Sequence, residues 1–275
     1  MIVFGAIAPH GTIAVPEACR EEERGLATAT QQALQELGRR FAAAEPEATV
    51  IFTPHNAHVS DHFGVVTAGR VEGSLASWDD DLGHVRLSVP TDGELAEAVL
   101  EEARRAHPTV ALSYGGNDAA AASMPMDWAT LIPLWFMGGR AEPPVPTVVA
   151  IPCREFDAAA HVSFGAAVAA AVARTGRRTA VIASADHGHG HREDGPYGYA
   201  EASVEFDRRV AEIVRAGDVG RLVELEPGFV QEAKADSWWQ MLMLHGALGA
   251  GWRAELLSYE APTYFGMLCA AFAPA

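Results

Sequence analysis

Short apolar runs rich in β-branched residues recur along the chain, and stretches of helical period separate them. The runs are IVFGAIA (residues 2–8), TVIFTP (49–54), TVALSYG (109–115), TVVAIP (147–152) and TAVIASAD (179–186). Each has strand length and ends at Ala, Gly, Pro or Asp, as central strands buried on both faces do. Between them the spacing predicts helices over residues 27–44, 92–106, 158–175 and 200–216. Alternation of this kind predicts an α/β fold around a largely parallel or mixed sheet with flanking helices. Residues 61–89 read as a β-rich excursion with Gly turns, and residues 138–146 (GGRAEPPVP) as a loop. With no repeat and no low-complexity tract, one domain covering residues 1–275 is expected.

Composition changes this picture little. Hydrophobic residues are 49% and charged residues 20%, ordinary for a globular chain, and 275 residues bury enough surface to fold without a metal or disulfide. A bound metal would therefore serve chemistry. Charge excludes more. Twenty Lys plus Arg against 36 Asp plus Glu give −16, which argues against nucleic acid and anionic membranes as partners. Small anionic substrates stay open, since one or two arginines suffice for a carboxylate. The cysteines, Cys19, Cys153 and Cys269, are odd in number and far apart, which fits a reducing cytoplasm. The apolar start lacks the basic residues of a signal peptide, and no uncharged apolar run reaches the length of a membrane span.

The histidines carry the chemistry. His10 follows the first run in Ala-Pro-His-Gly, and His55 follows the second in Thr-Pro-His-Asn. Both fall at the carboxyl end of an expected strand, where open α/β sheets place their ligand crevice. Either alone could be a hydrogen-bonded loop histidine; two matched Pro-His strand ends point to a shared site. A third cluster, Ser-Ala-Asp-His-Gly-His-Gly-His (184–191), also leaves a strand end. It could bind metal, supply an acid/base imidazole, or be an exposed loop. A carboxylate would complete a two-histidine, one-carboxylate face of the kind non-haem Fe(II) oxygenases use. Glu232 and Asp236 offer one, read as sharing a face at the start of a helix running to Leu248.

Taken in order, APHG, TPHN, the stretch Met126-Asp-Trp-Ala-Thr-Leu-Ile-Pro-Leu134, SADHGH and a late Glu before an apolar helix resemble the LigB-like class III extradiol dioxygenases. The likeness spans nearly the whole chain. It implies a cytoplasmic enzyme that opens the ring of a catechol-type or o-aminophenol-type substrate with O2. It implies Fe(II) held by His10, His55 and Glu232, with Asp236 in reserve; zinc or another divalent metal could occupy the same set. His189 would be the acid/base, with His187 and His191 as its neighbours. Where many relatives carry His after the Asp, this chain has Trp128, which with His187 is expected to face the small aromatic substrate. Relatives self-associate or pair with a small second chain, so a homo-oligomer or such a complex is expected. A zinc hydrolase and a non-catalytic metal-binding relative are the competing readings.

Overall fold

The computed structural model describes residues 1–114 and 122–275. Its strands are β1 (Ile2–Ala8), β2 (Ala48–Phe52), β3 (Phe63–Val66), β4 (Arg70–Ser74), β5 (Arg86–Pro90), β6 (Thr109–Leu112), β7 (Ser123–Pro125), β8 (Thr147–Ile151), β9 (Thr179–Ser184), β10 (Trp252–Glu260) and β11 (Met267–Pro274). The α-helices are α1 (Thr28–Ala43), α2 (Gly93–Arg104), α3 (Trp128–Phe136), α4 (Ala158–Thr175), α5 (Glu201–Ala216), α6 (Pro227–Glu232) and α7 (Trp238–Leu248). All five apolar runs form strands, although Gly115 of the third lies outside the described residues.

Eight strands make one mixed sheet in the order β10–β11–β1–β9–β2–β8–β3–β6. Strands β1, β9, β2 and β8 run parallel at its centre, and β11 and β3 flank them antiparallel. The excursion at 61–89 is split by this arrangement. Its first strand, β3, joins the large sheet, whereas β4 and β5 pair with β7 in a separate three-stranded sheet.

Side-chain alternation explains why the central strands are apolar throughout. Val50, Phe52, Val148, Val181 and Ala183 enter one core with α2, α4, α5 and α7. Their neighbours Ile51, Val149 and Ile182 enter the opposite core with α1, α3 and the small sheet. Each face is covered, so neither face of these strands can be polar.

Helix α4 is long and apolar enough to cross a membrane by length and composition alone. Its inward face is engaged by α2 and α7 instead. The approach of α4 to α7 requires two glycines: a Cβ at Gly165 would run into the Met243 carbonyl, and one at Gly246 into the Val162 carbonyl.

The same helix buries His161 completely. Its Nδ1 lies 2.8 Å from the Asp157 carbonyl, and its ring meets Phe63 edge to face at 5.2 Å. Burial, only partly opposed by that carbonyl, pushes its pKa down to about 4. An unfolded histidine protonates near 6.5. Between these values the unfolded chain binds the extra proton, so stability is full above pH 6.5 and falls as pH drops toward 4. In chemical denaturation of His161→Leu, the stability difference between pH 7 and pH 5 should shrink by roughly 2 kcal/mol relative to wild type. An unchanged pH dependence would mean that His161 titrates normally.

Candidate active site

Strands β1, β9 and β2 are neighbours, and their carboxyl ends lie level: Ala8 pairs with Ser184, and Phe52 with Ala183. Three loops therefore start side by side. One brings His10 two residues beyond β1, one brings His55 three residues beyond β2, and the third carries residues 185–191. The Thr-Pro-His-Asn loop is tied at both sides of its histidine. Thr53 Oγ1 donates to Asp127 Oδ2 at 3.4 Å, and Asn56 Nδ2 donates to the Pro125 carbonyl at 2.8 Å.

His10 and His55 meet edge to face with ring centroids 5.1 Å apart. The carboxylate between them is Asp236, whose Oδ2 lies 2.9 Å from His55 Nε2 and 3.7 Å from His10 Nε2. One ligand atom from each of the three lies within 4.8 Å of the others, a geometry that could hold a metal ion. Glu232 is exposed and outside this group, which corrects the expected assignment.

The reason lies in the backbone. The expected single helix is broken: α6 ends at Glu232, and α7 begins at Trp238. Lys234 sits between them in the left-handed region at φ 52°. Its N–H reaches the Gln231 carbonyl at 3.0 Å, and the Ala235 N–H reaches the Val230 carbonyl at 3.3 Å. This is a Schellman helix end, a position where glycine is usual. With lysine there, the sequence carries no helix-stop signal. The turn reverses the chain and swings Asp236 inward while Glu232 stays in solvent.

Surrounding groups orient the donors. Ser184 Oγ donates to the Ala129 carbonyl at 2.5 Å, which leaves it to accept from His10 Nδ1–H at 2.9 Å. The Nε2 lone pair of neutral His10 then faces Asp236. Asp186 accepts the His10 backbone N–H at 2.9 Å and lies 3.5 Å from Nε2. Burial disfavours a charged His10, yet Asp186 and Asp236 outweigh it and hold its pKa up at about 9. Burial likewise opposes ionisation of Asp236, but His10 and His55 hold its pKa far below the usual carboxylate range. Asp127, which caps α3 through the Thr130 N–H at 2.5 Å, is pushed up by burial.

The three loop histidines diverge. His189 enters the cavity, stacked on Phe265 at 5.5 Å and edge-on to Tyr197 at 5.8 Å. His191 turns away to Asp207 Oδ2 at 2.8 Å. His187 is fully buried beside Phe206, with neither ring nitrogen bonded among the described residues. It does not line the cavity, so the expectation that it faces substrate is corrected: the alternating backbone of the loop directs it into the core. Trp128 does line the cavity, stacked on His55 at 4.6 Å.

The cavity has two lobes, of about 540 and 250 Å³, both reached by His55, His189, Tyr197 and Asp236. Sequence reasoning missed the roles of Ser184, Asp127 and Phe265. A serine at a strand end and an aromatic before a late strand carry no signal without their partners.

Asp236→Ala should abolish metal binding measured by calorimetry, whereas Glu232→Gln should leave it intact. Ser184→Ala, which frees His10 Nδ1, should weaken it about 10–100-fold, as loss of a histidine's outer partner commonly does. Metal loss in Glu232→Gln with retention in Asp236→Ala would reverse the assignment.

A family model described as the catalytic LigB subunit of aromatic ring-opening dioxygenase matches residues 5–270. Protein CA_C1420 of Clostridium acetobutylicum is 27% identical over 256 residues, covering 92% of this chain and 54% of that protein. The chain thus spans about half the length of this curated relative. The crystal structure of uncharacterized protein JW3007 from Escherichia coli K12 superposes with a TM-score of 0.66 at 15% identity, covering 98% of this chain and 99% of that one. At that identity the likeness concerns the fold.

Proposed function

The chain belongs to the LigB family of aromatic ring-opening dioxygenases, and from that premise we propose that it is an Fe(II)-dependent extradiol dioxygenase acting on a catechol-type or o-aminophenol-type substrate. The observation that carries this reading is the convergence of His10, His55 and Asp236. Two imidazoles and one carboxylate suit a divalent first-row metal and leave positions open for substrate and O2. Asp236 Oδ1 is buried without a partner among the described residues, as expected of a carboxylate awaiting a ligand. The metal would supply Lewis acidity toward the substrate hydroxyls and a common point of attachment for both reactants.

The remaining work falls to the protein. His10 and His55 would present Nε2 and Asp236 would present Oδ2. Ser184 and Asp186 keep His10 from rotating, and Trp128 does the same for His55 by stacking. His189 faces the cavity with its Nδ1 unbonded among the described residues. It can take a proton from a substrate hydroxyl and return it as the ring opens. Phe265, stacked on His189, fixes the plane of that imidazole. Trp128, Tyr197 and Phe265 give the apolar walls an aromatic ring requires. All three cysteines are unpaired, which supports a reducing compartment such as the cytoplasm.

Fe(II)-loaded protein should consume O2 and form yellow ring-opened products with at least one member of a catechol and o-aminophenol panel. His189→Gln should lower kcat by about 10²–10⁴ while retaining its metal, the usual contribution of a positioned acid/base. Turnover that persists under strict anaerobiosis would overturn the dioxygenase reading and favour metal-assisted hydrolysis.

A further inference from the structure

Helix α7 opens on Trp-Trp-Gln-Met-Leu-Met-Leu (238–244), and Gln240 is the only hydrophilic residue in that run. It is fully buried. An amide in such surroundings costs stability unless all its partners are met, and those of Gln240 are met on one side only. Its Nε2 donates to the Asp236 carbonyl at 2.6 Å and to the Ser184 carbonyl at 3.1 Å, whereas its Oε1 has no partner among the described residues. Two carbonyls facing one end of the amide admit only its two N–H donors there, which fixes the orientation of the group.

Both carbonyls belong to residues of the candidate metal centre. Asp236 supplies the carboxylate, and Ser184 orients His10 through its hydroxyl. The backbone of Asp236 is pinned on both sides. Before it, the Ala235 N–H closes the end of α6 on the Val230 carbonyl at 3.3 Å; after it, Gln240 holds the Asp236 carbonyl itself. Ser184 ends β9 in register with Ala8, two residues before His10. One buried amide therefore bridges the segment that carries Asp236 and the segment that orients His10.

Asp236 Oδ1 and Ser237 Oγ are also buried without partners among the described residues. A helix start selected for stability alone would hold Leu or Met at position 240 and leave fewer orphaned oxygens. Departures of this kind concentrate at functional sites.

We propose that Gln240 is a positioning residue: it sets the separation between the Asp236 carboxylate and the His10 imidazole, and with it the geometry in which the three donors hold a divalent cation. This role rests on reading His10, His55 and Asp236 as a metal site, and not on the ring-opening reaction. Gln240 acts through the backbone. Without its bridge the turn that carries Asp236 is free to shift against β9, and the donor set loses its fixed spacing.

Cobalt(II) is the probe, because its visible absorption reports the number and arrangement of its ligands. Gln240→Met keeps an unbranched side chain of similar length and removes both donors. Gln240→Glu keeps the shape and turns carboxyl oxygens toward the two carbonyls. Each variant should bind cobalt(II) about 10–100-fold more weakly in calorimetry, the usual effect of losing a group that orients a ligand, and each should shift the cobalt bands. Leu244→Ala, one turn further along α7, is the control: it opens a cavity and lowers the urea midpoint, yet should keep the wild-type cobalt spectrum. Cooperative urea unfolding of each metal-free variant checks that it is folded. Wild-type affinity and spectrum in both Gln240 variants overturn the proposal. So does a spectral change in Leu244→Ala as large as theirs, since any loosening of α7 would then act alike. Wild-type protein that takes up no cobalt(II) overturns the metal centre and this role together. Cobalt binding that depends on Gln240, without ring opening of any catechol by the Fe(II)-loaded protein, leaves this role standing and sinks only the dioxygenase reading.

Discussion

A carboxylate and two imidazoles held against one another, with His10 buried and His55 and Asp236 partly buried, are the arrangement on which the rest of the structure depends. Isolating such groups from water is costly unless each is paired and oriented. Here Asp236 sits between His10 and His55, with Asp186 and Asp127 close behind. Three carboxylates facing two imidazoles leave an excess of negative potential. In the absence of a metal that excess is met by holding a proton on His10, which is why its pKa stands near 9. A divalent cation would meet it more completely, and the orphaned Asp236 Oδ1 is consistent with that.

The fold supplies the rigidity this requires. Three strands pinned by parallel pairing end at one level, so two donors and the His189 loop begin from fixed points. The first turn of α3 is drawn into the same assembly. Its Ala129 carbonyl orients Ser184, its cap Asp127 holds Thr53, and its first residue Trp128 stacks on His55. A further buried carboxylate, Asp207, clamps the loop from behind. It accepts from the Gly188 N–H, from Tyr259 OH and at His191 Nε2, each at 2.8 Å. The Gly190 N–H is held by Ser203 Oγ at 2.9 Å. With its neighbours fixed on both sides, His189 has one direction left, into the cavity. Pre-organisation of this kind removes the entropy a mobile imidazole would lose on reaction.

Much of this was legible beforehand because it rests on local pattern. Strand-length apolar runs, helical periodicity and Pro-His strand ends each involve neighbouring residues, and they located the sheet, four of the helices, His10 and His55. The departures share one cause. Glu232 stands ahead of Asp236 in the sequence reading because one helix face is expected to carry both. The helix end between them uses a lysine where glycine would have announced it. Spacing alone does not separate His187, His189 and His191, and only the family resemblance singles out His189, since alternation tells which residues share a side and not which side faces the cavity. Only Gly266, Tyr264, Ala233 and Asp207, distant in sequence, decide that.

The sequence by itself determined the class of fold, the family and the kinds of donor available, because these follow from periodicity, residue chemistry and ordered motifs. Tertiary structure decided which carboxylate joins the histidines and which loop histidine reaches the cavity. Those outcomes depend on the direction of individual side chains, set by hydrogen bonds between segments as far apart as His10 and Asp186, and no local pattern encodes them.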